Sequence, residues 1–415
     1  MILLPLQLLL SLFLGLLAVG MIIASAYLFY KALKRPVVVS REAPGKPAVL
    51  LPMSPSLRDR RRQATLLGSA LLLLLLGFGG RRLVSIIRPS SPDDAQHISQ
   101  PSRKIPGASG AELVIEESGP PDGIRLIFTH GWGLDRRVWD WARKDLSQQF
   151  RVITWDLPGL GQSAAIPNRD YSLETLAKEL HVVAAQTGNT PVVLVGHSIG
   201  GMINLTFCRV FPQQLGQPIA GIVELNTTYT NPIKTTQGAA LNEALQKPLF
   251  EPLLHVITFL SPAVRVLNWL SYQSGLTHLQ NASQSFAGAE TREQLDFTSQ
   301  YSYQSSPAIV ARGTLGMLHW DATAVLSQIA VPVLIVTSEQ DTTTLPSARD
   351  FMAMTIPGSK KLSISPAAHL GPIEQNTRYN EAIRDFAEIV LEAGGNSKNW
   401  ASTFVHLSAL LVEQS

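Results

Sequence analysis

The spacing of apolar positions changes character twice along the chain. Residues 2–30 are rich in Leu and carry no ionisable side chain apart from tyrosines. As a helix rising about 1.5 Å per residue, they cover a hydrocarbon core of roughly 30 Å with some tilt. A second run, residues 64–80, has leucine at every position from 71 to 76 and lies between Arg60, Arg61 and Arg62 on one side and Arg81 and Arg82 on the other. That length is at the lower limit for a span, with the arginines snorkelling at both ends. Both runs are expected to be transmembrane helices. A cleaved signal peptide competes for the first, but its leading region would be basic, and the first charge here is Lys31. From residue 111 onward, short β-branched runs alternate with amphipathic stretches, the pattern of a mostly parallel sheet flanked by helices. Strands are expected at residues 125–129, 151–155, 192–195, 221–225, 333–337 and 361–364. Leu173, Leu176, Leu180 and Val183 recur at helical spacing after a candidate N-cap, Ser172, and predict a helix over residues 172–186. Tyr379, Ile383, Phe386 and Val390 form the same stripe in a last helix, with Gly394 and Gly395 as its stop.

Charge divides the chain at the same place. Residues 1–104 hold fourteen Lys and Arg against four Asp and Glu, and the remainder holds twenty against twenty-seven. The basic character therefore belongs to the amino-terminal segment, which removes the main support for a nucleic-acid partner. Residues 31–63 contain Pro36, Pro44, Pro47, Pro52 and Pro55 and nine basic residues against Glu42 and Asp59, so they read as an extended, unstructured loop. Nine positive charges favour the cytoplasmic side. The two helices then form a hairpin, with the amino terminus and the whole chain beyond Arg82 on the extracytoplasmic side. Arg81, Arg82, Arg88, Arg103 and Lys104 oppose this orientation. Residues 81–110 read as a linker, with Pro92, Pro101 and Pro106. Cys208 is the only cysteine, so no intrachain disulfide forms.

The candidate chemistry begins at Gly196-His197-Ser198-Ile199-Gly200, a G-x-S-x-G directly after an apolar strand and before a helix that starts at about Ile199. Side chains at the two glycines would strike neighbouring backbone in so tight a turn, and Ser198 is pushed outward in a strained conformation. His130-Gly131-Trp132-Gly133 and Asp156-Leu157-Pro158-Gly159-Leu160-Gly161-Gln162-Ser163 each follow an expected strand, as does Ala367-Ala368-His369, with Glu374 beyond it.

On these motifs, residues 111–393 resemble the α/β-hydrolase family. The resemblance implies an HGxG oxyanion loop in which the amides of Trp132 and Ile199 face a developing negative charge. It makes Asp156 a turn-fixing carboxylate, Ser198 the nucleophile and His369 the base. The triad acid is assigned to Asp341, in the loop after the strand at 333–337, with Glu339 as runner-up. The alternative position after the preceding strand carries Asn226, which cannot hold an imidazolium by charge. Related dehalogenases and epoxide hydrolases use aspartate as nucleophile, so a serine points to esters, thioesters, amides or activated C–C bonds.

About one hundred residues separate the strands ending near Leu225 and starting near Val333, too many for a simple connection. They resemble the family's helical cap. The expected layout is an α/β-hydrolase core over residues 111–228 and 331–394, a cap over 229–330 and a tail over 395–415. Phe250, Leu254, Ile257, Phe259, Leu260 and Trp269 make the cap apolar. It reads either as a lid for acyl chains or a bilayer-touching surface, or as ordinary packing on the core. His319 and Asp321 are candidates for the pocket wall, without an assigned role. The expected partners are the membrane and a small-molecule or lipid acyl substrate. No metal or organic cofactor is expected, because neither clustered Cys and His ligands nor a phosphate-binding glycine loop occurs. The expected activity is that of a membrane-anchored serine hydrolase. The contrasting reading is a catalytically silent module that serves as a membrane-tethered binding or scaffolding protein.

Overall fold

A computed structural model describes residues 4–34, 37–40, 49–52, 56–91 and 101–392. The expected tail and the Gly394-Gly395 stop lie outside the described residues.

Two long helices open the chain, α1 (Leu4–Leu33) and α2 (Leu57–Ile86), and both are long and apolar enough to cross a membrane. α2 is longer than the apolar run that announced it. It starts on a capping box, in which Ser56 and Asp59 exchange side-chain and backbone bonds, and it continues through Arg81 and Arg82. Arginine is a good helix former, so nothing ends the helix where the hydrophobicity ends. The helices run antiparallel. The Ser25 hydroxyl donates to the Ala70 carbonyl at 2.7 Å, and a Cβ at Gly77 would touch Ile22 at 3.4 Å. The loop between them is not wholly irregular. β1 (Val37–Ser40) and β2 (Val49–Pro52) pair antiparallel inside it, because Val37-Val38-Val39 and Val49-Leu50-Leu51 carry β-branched and apolar residues between the prolines.

The remaining strands are β3 (Ser102–Pro106), β4 (Glu112–Ser118), β5 (Arg125–Thr129), β6 (Arg151–Trp155), β7 (Val192–His197), β8 (Ile219–Leu225), β9 (Val333–Ser338) and β10 (Lys360–Ile364). They form one sheet in the order β10-β9-β8-β7-β5-β6-β4-β3. It is parallel from β6 to β10, with β4 and β3 added antiparallel at one edge. The edge pair lies partly in the stretch read as linker. Ser102-Arg103-Lys104-Ile105-Pro106 has one buried residue and a terminal proline, which a solvent-facing edge strand tolerates and an apolar-run criterion overlooks. β7, by contrast, is buried at every position, as a strand covered on both faces must be.

Helices α3 (Asp140–Leu146), α4 (Leu173–Ala185), α5 (Ile199–Val210), α13 (Pro346–Thr355), α14 (Gly371–Glu374) and α15 (Asn376–Glu392) belong to the sheet domain. The Ser172 side chain caps α4 by accepting from Thr175 N. The insertion between β8 and β9 holds α6 (Ala239–Leu245), α7 (Glu251–Phe259), α8 (Ser261–Gln273), α9 (Leu276–Gln284), α10 (Arg292–Gln304), α11 (Pro307–Leu318) and the short α12 (Thr323–Leu326). A bridge between Thr230 and Asp321 closes its neck. Its apolar residues divide between packing and exposure. Phe250, Leu254, Ile257 and Val264 pack with Ala311 and Leu318 in a cap core, whereas Phe259 is 85% exposed and Val256, Leu260 and Trp269 face outward with it.

The Asp156 turn is locked by charge in a buried setting. Its carboxylate accepts from the backbone of Arg136 and of Gln162 at 2.8 Å each and pairs with the Arg136 guanidinium, which also reaches Glu116 at 2.9 Å. Removing one member leaves charge stranded away from water. Asp156→Ala is therefore expected to destabilise the protein by about 3 kcal/mol, read as a lowered thermal midpoint of the full chain in detergent. An unchanged midpoint would remove this network from the fold's supports.

Candidate active site

Ser198 stands between β7 and α5 with φ 56° and ψ −119°. A Cβ at Gly196 would lie 2.4 Å from the Gly200 carbonyl carbon, and one at Gly200 would lie 2.3 Å from the Thr129 carbonyl oxygen. Only glycine allows the strand and helix backbones to cross at this distance, and the crossing holds Ser198 in the left-handed region. Ser198 N donates to the Leu225 carbonyl at 3.0 Å, and the Thr227 hydroxyl donates to the Ser198 carbonyl at 2.6 Å.

The structure brings the three expected side chains together. His369 Nε2 lies 3.1 Å from Ser198 Oγ, and His369 Nδ1 lies 2.9 Å from Asp341 Oδ2. Asp341 is 2% exposed and accepts further bonds from the amides of Thr343 at 2.7 Å and Thr344 at 3.1 Å, and from the Thr344 hydroxyl at 2.6 Å. Burial acts to raise the pKa of this carboxyl. The neighbouring His369, its hydrogen bond and those from Thr344 outweigh burial and hold the group below the usual carboxylate range. Glu339 is exposed at the surface of the same loop, and Asn226 does not face the imidazole.

Trp132 lines the same cavity as Ser198 and His369. Its indole N–H donates to the Val310 carbonyl at 2.8 Å, which ties the HGxG loop to the cap. Ile199 is the first residue of α5, so its N–H is among those a helix leaves unpaired at the end that favours negative charge. The cavity, about 260 Å³, is lined on its cap side by residues including Tyr301 and Val310. His319 and Asp321 are not among the residues lining it. His319 points to Glu251 at 3.3 Å, and Asp321 accepts from the Thr230 hydroxyl at 2.5 Å in the cap's neck. Their positions in sequence, near the return to β9, gave no information on side-chain direction.

Several residues that position the site carry no motif of their own. Asn226, at φ 44°, donates through Nδ2 to Ser338 Oγ and to the carbonyls of Ala368 and His369 at 2.9 to 3.1 Å. Its Oδ1 accepts from Ser338 N at 2.8 Å and from the Tyr379 hydroxyl at 3.1 Å. Glu374 accepts from Ala368 N at 3.2 Å and from cap amides of Ala287 at 2.8 Å and Ala289 at 3.0 Å. His197 Nε2 lies 2.9 Å from the His369 carbonyl and must donate there, since a carbonyl only accepts. Burial, and then the nearby His369, push the His197 pKa down to about 3, so this ring is neutral.

This depression sets a pH dependence. The folded His197 binds a proton only near pH 3, whereas the unfolded chain binds it near the ordinary imidazole value. Stability from this group is complete above about pH 6.5 and falls as the pH drops toward 3. His197→Gln is expected to flatten the decline in thermal midpoint between those limits. A variant with the wild-type slope would remove His197 as a contributor.

A family model described as alpha/beta hydrolase fold matches residues 124–375. Among curated proteins, bifunctional epoxide hydrolase 2 of Mus musculus is 23% identical over 71% of this chain and 56% of its own length. The pimeloyl-[acyl-carrier protein] methyl ester esterase of Neisseria meningitidis is 25% identical over 67% of this chain and 81% of its own. The chain thus spans little more than half the length of the mouse relative. Among solved structures, a thermophilic esterase from Thermogutta terrifontis superposes with a TM-score of 0.57 at 26% identity, covering 70% of this chain and 99% of the esterase.

Proposed function

Since the chain belongs to the α/β-hydrolase fold family, we propose that it is a membrane-anchored serine hydrolase that cleaves a carboxylic ester, thioester or amide through an acyl-enzyme. The observation that carries this reading is the single imidazole of His369, within 3.1 Å of Ser198 Oγ on one side and 2.9 Å of Asp341 on the other.

In the first half of the reaction, Ser198 Oγ bonds to the substrate carbonyl carbon while its proton passes to His369 Nε2. Asp341 holds Nδ1–H and stabilises the imidazolium that results. The carbonyl oxygen, now negative, is received by the amides of Trp132 and Ile199, each worth about 3 kcal/mol by the scale of single oxyanion donors. Collapse breaks the bond to the leaving group, which takes the proton from His369 Nε2. Water repeats the sequence on the acyl-enzyme and frees Ser198. An epoxide does not suit this nucleophile, because attack by a hydroxyl leaves an ether that water cannot cleave under the same catalysis.

The anchor is the α1–α2 hairpin, with the nine basic residues of the 31–63 loop toward the cytoplasm and the sheet domain on the opposite side. The antiparallel helices support this sidedness: the amino-terminal half of α1 and the carboxy-terminal end of α2 both meet the cap, at Leu267 and Ser274.

Ser198→Ala is expected to abolish labelling of the full chain by a fluorophosphonate probe, and an unlabelled wild type would favour the scaffolding role. Asp341→Asn is expected to lower kcat by about 10³- to 10⁴-fold on an acyl ester panel. Glu339→Gln should stay within about twofold, as expected of an exposed side chain, and a larger loss in Glu339→Gln than in Asp341→Asn would transfer the acid role.

A further inference from the structure

The cavity over Ser198 is not built from the hydrolase domain alone. Ser11, in the third turn of α1, lines it together with Asn268 of α8 and Gln280 and Asn281 of α9. The Ser11 hydroxyl donates to Gln280 Oε1 at 3.3 Å. One turn further along α1, a Cβ at Gly15 would lie 2.6 Å from Leu267 Cβ and 2.8 Å from the Leu267 carbonyl oxygen, so this glycine brings the two helices into backbone contact. Leu12, between them, packs against the cap core of Phe250, Leu254 and Ile257.

The hairpin register places this contact at the membrane boundary. Ile22 meets Gly77, so continuing antiparallel puts Arg81 opposite roughly residue 18 of α1. Arg81 and Arg82 end the apolar part of α2, and Arg81 donates to the Tyr272 hydroxyl at 2.7 Å and reaches Asp296 at 3.4 Å in the cap. The first turns of α1 therefore extend past the arginine level and enter the cap. The wall they complete is polar and holds an unmet acceptor. Asn268 is 7% exposed, its Nδ2 donates to the Ser302 carbonyl at 2.8 Å, and its Oδ1 accepts nothing among the described residues. An unpaired buried amide oxygen is costly unless a ligand or water supplies the donor.

We propose that the anchor is part of the substrate site: Ser11 of α1 joins Asn268, Gln280 and Asn281 in a polar wall that receives a hydrogen-bond-donating group of an amphiphilic ester at the membrane surface. This rests on the serine-hydrolase reading. It assigns the substrate class as an ester with a hydroxyl or amide N–H remote from the scissile carbonyl, in place of a plain fatty acyl chain. It also makes α1 a structural partner of the cap that a soluble truncation would lack.

The test uses the full chain in phosphatidylcholine nanodiscs and paired nitrophenyl esters of increasing acyl length, each ending in a hydroxyl or in a methyl. At one chain length the hydroxyl-tipped ester is expected to exceed its methyl partner at least fivefold in kcat/KM. Asn268→Leu should bring that ratio close to one. Ser11→Trp, which fills the wall, should lower kcat/KM for the preferred ester at least tenfold relative to nitrophenyl acetate. Independently, a Ser11→Cys, Gln280→Cys pair should form an intramolecular disulfide on oxidation, with the native Cys208 buried and apart. No preference at any length, parallel changes for all esters in protein that still takes the fluorophosphonate, or failure of the pair to cross-link would each overturn the proposal. If the variants lose labelling altogether, the cross-link decides the position of α1. A wild type that takes no fluorophosphonate would instead overturn the reading of Ser198, and the substrate class with it.

Discussion

The crossing of β7 and α5 is the constraint on which the site's geometry depends. A chain that leaves a buried strand and enters a helix within one residue brings backbones to separations at which any Cβ collides: 2.4 Å between Gly196 and the helix at Gly200, and 2.3 Å between Gly200 and Thr129 at the end of neighbouring β5. The glycines remove the collision, and Ser198 takes the conformational cost, held at φ 56° by bonds from its own N–H to Leu225 and from Thr227 to its carbonyl. The same turn makes Ile199 the first helical residue, which directs an unpaired amide and the positive end of α5 to the place where the hydroxyl sits. The outward position of the Ser198 hydroxyl and the adjacent amide thus arise from one steric solution. Behind the turn, a Cβ at Gly201 would lie 2.1 Å from Glu224 Oε2, and burial pushes that carboxyl well above its ordinary range. Burial beneath the helix thus favours the uncharged form of this acid, where a charge would be stranded.

The partner imidazole is positioned less by its own residue than by what holds its loop. Asn226 directly follows β8, and it directs its bonds to backbone and hydroxyl groups around Ser338, Ala368 and His369. An aspartate there would lack the amide donors these carbonyls require. Assignment of the acid to Asp341 is consistent with this, since one loop position supplies the charge and the other supplies the clamp. Glu374 and His197 add to the clamp from α14 and from the end of β7.

The parts of this arrangement that were legible in the sequence are those where backbone geometry dictates residue type. The strand at 125–129 and that at 151–155 have their boundaries in the apolar runs, and G-x-S-x-G and DxxGxGxS name turns that glycine makes possible. β3 was not legible, because an edge strand with one buried residue has no apolar run, and hydrogen bonds to β4 define it instead. The β1–β2 pair was hidden among prolines, and the length of α2 was hidden because hydropathy stops at Arg81 although helical propensity does not. The roles of Asn226, Glu374 and His197 depend on distances between residues more than a hundred positions apart or on side-chain direction, and no local pattern encodes either. His319 illustrates the converse: proximity in sequence to the cap's return put it near the site, and its rotation about the chain put it on the surface.

The contact between the hairpin and the cap changes how the two halves of the chain relate. A tether that serves only to retain an enzyme at a surface needs no backbone contact with it, and a flexible linker would suffice. Here Gly15 and Gly80 each admit cap backbone, at Leu267 and Ser274, and Arg88 pairs with the buried Glu290 at 2.9 Å. Contacts of this kind fix orientation, because small residues at a helix crossing permit one close approach and a buried ion pair tolerates little displacement. Trp269, in edge contact with Phe78 of α2, then lies beside the apolar helices, and Phe259 stands exposed at the end of α7. Apolar side chains exposed in that position are costly in water and are satisfied at a lipid surface. The cap is therefore oriented by α1 and α2 as much as by the domain into which it is inserted. The cavity beneath it inherits that orientation, with Ser198 supplied by the sheet and the opposing wall supplied in part by a helix long and apolar enough to cross a membrane.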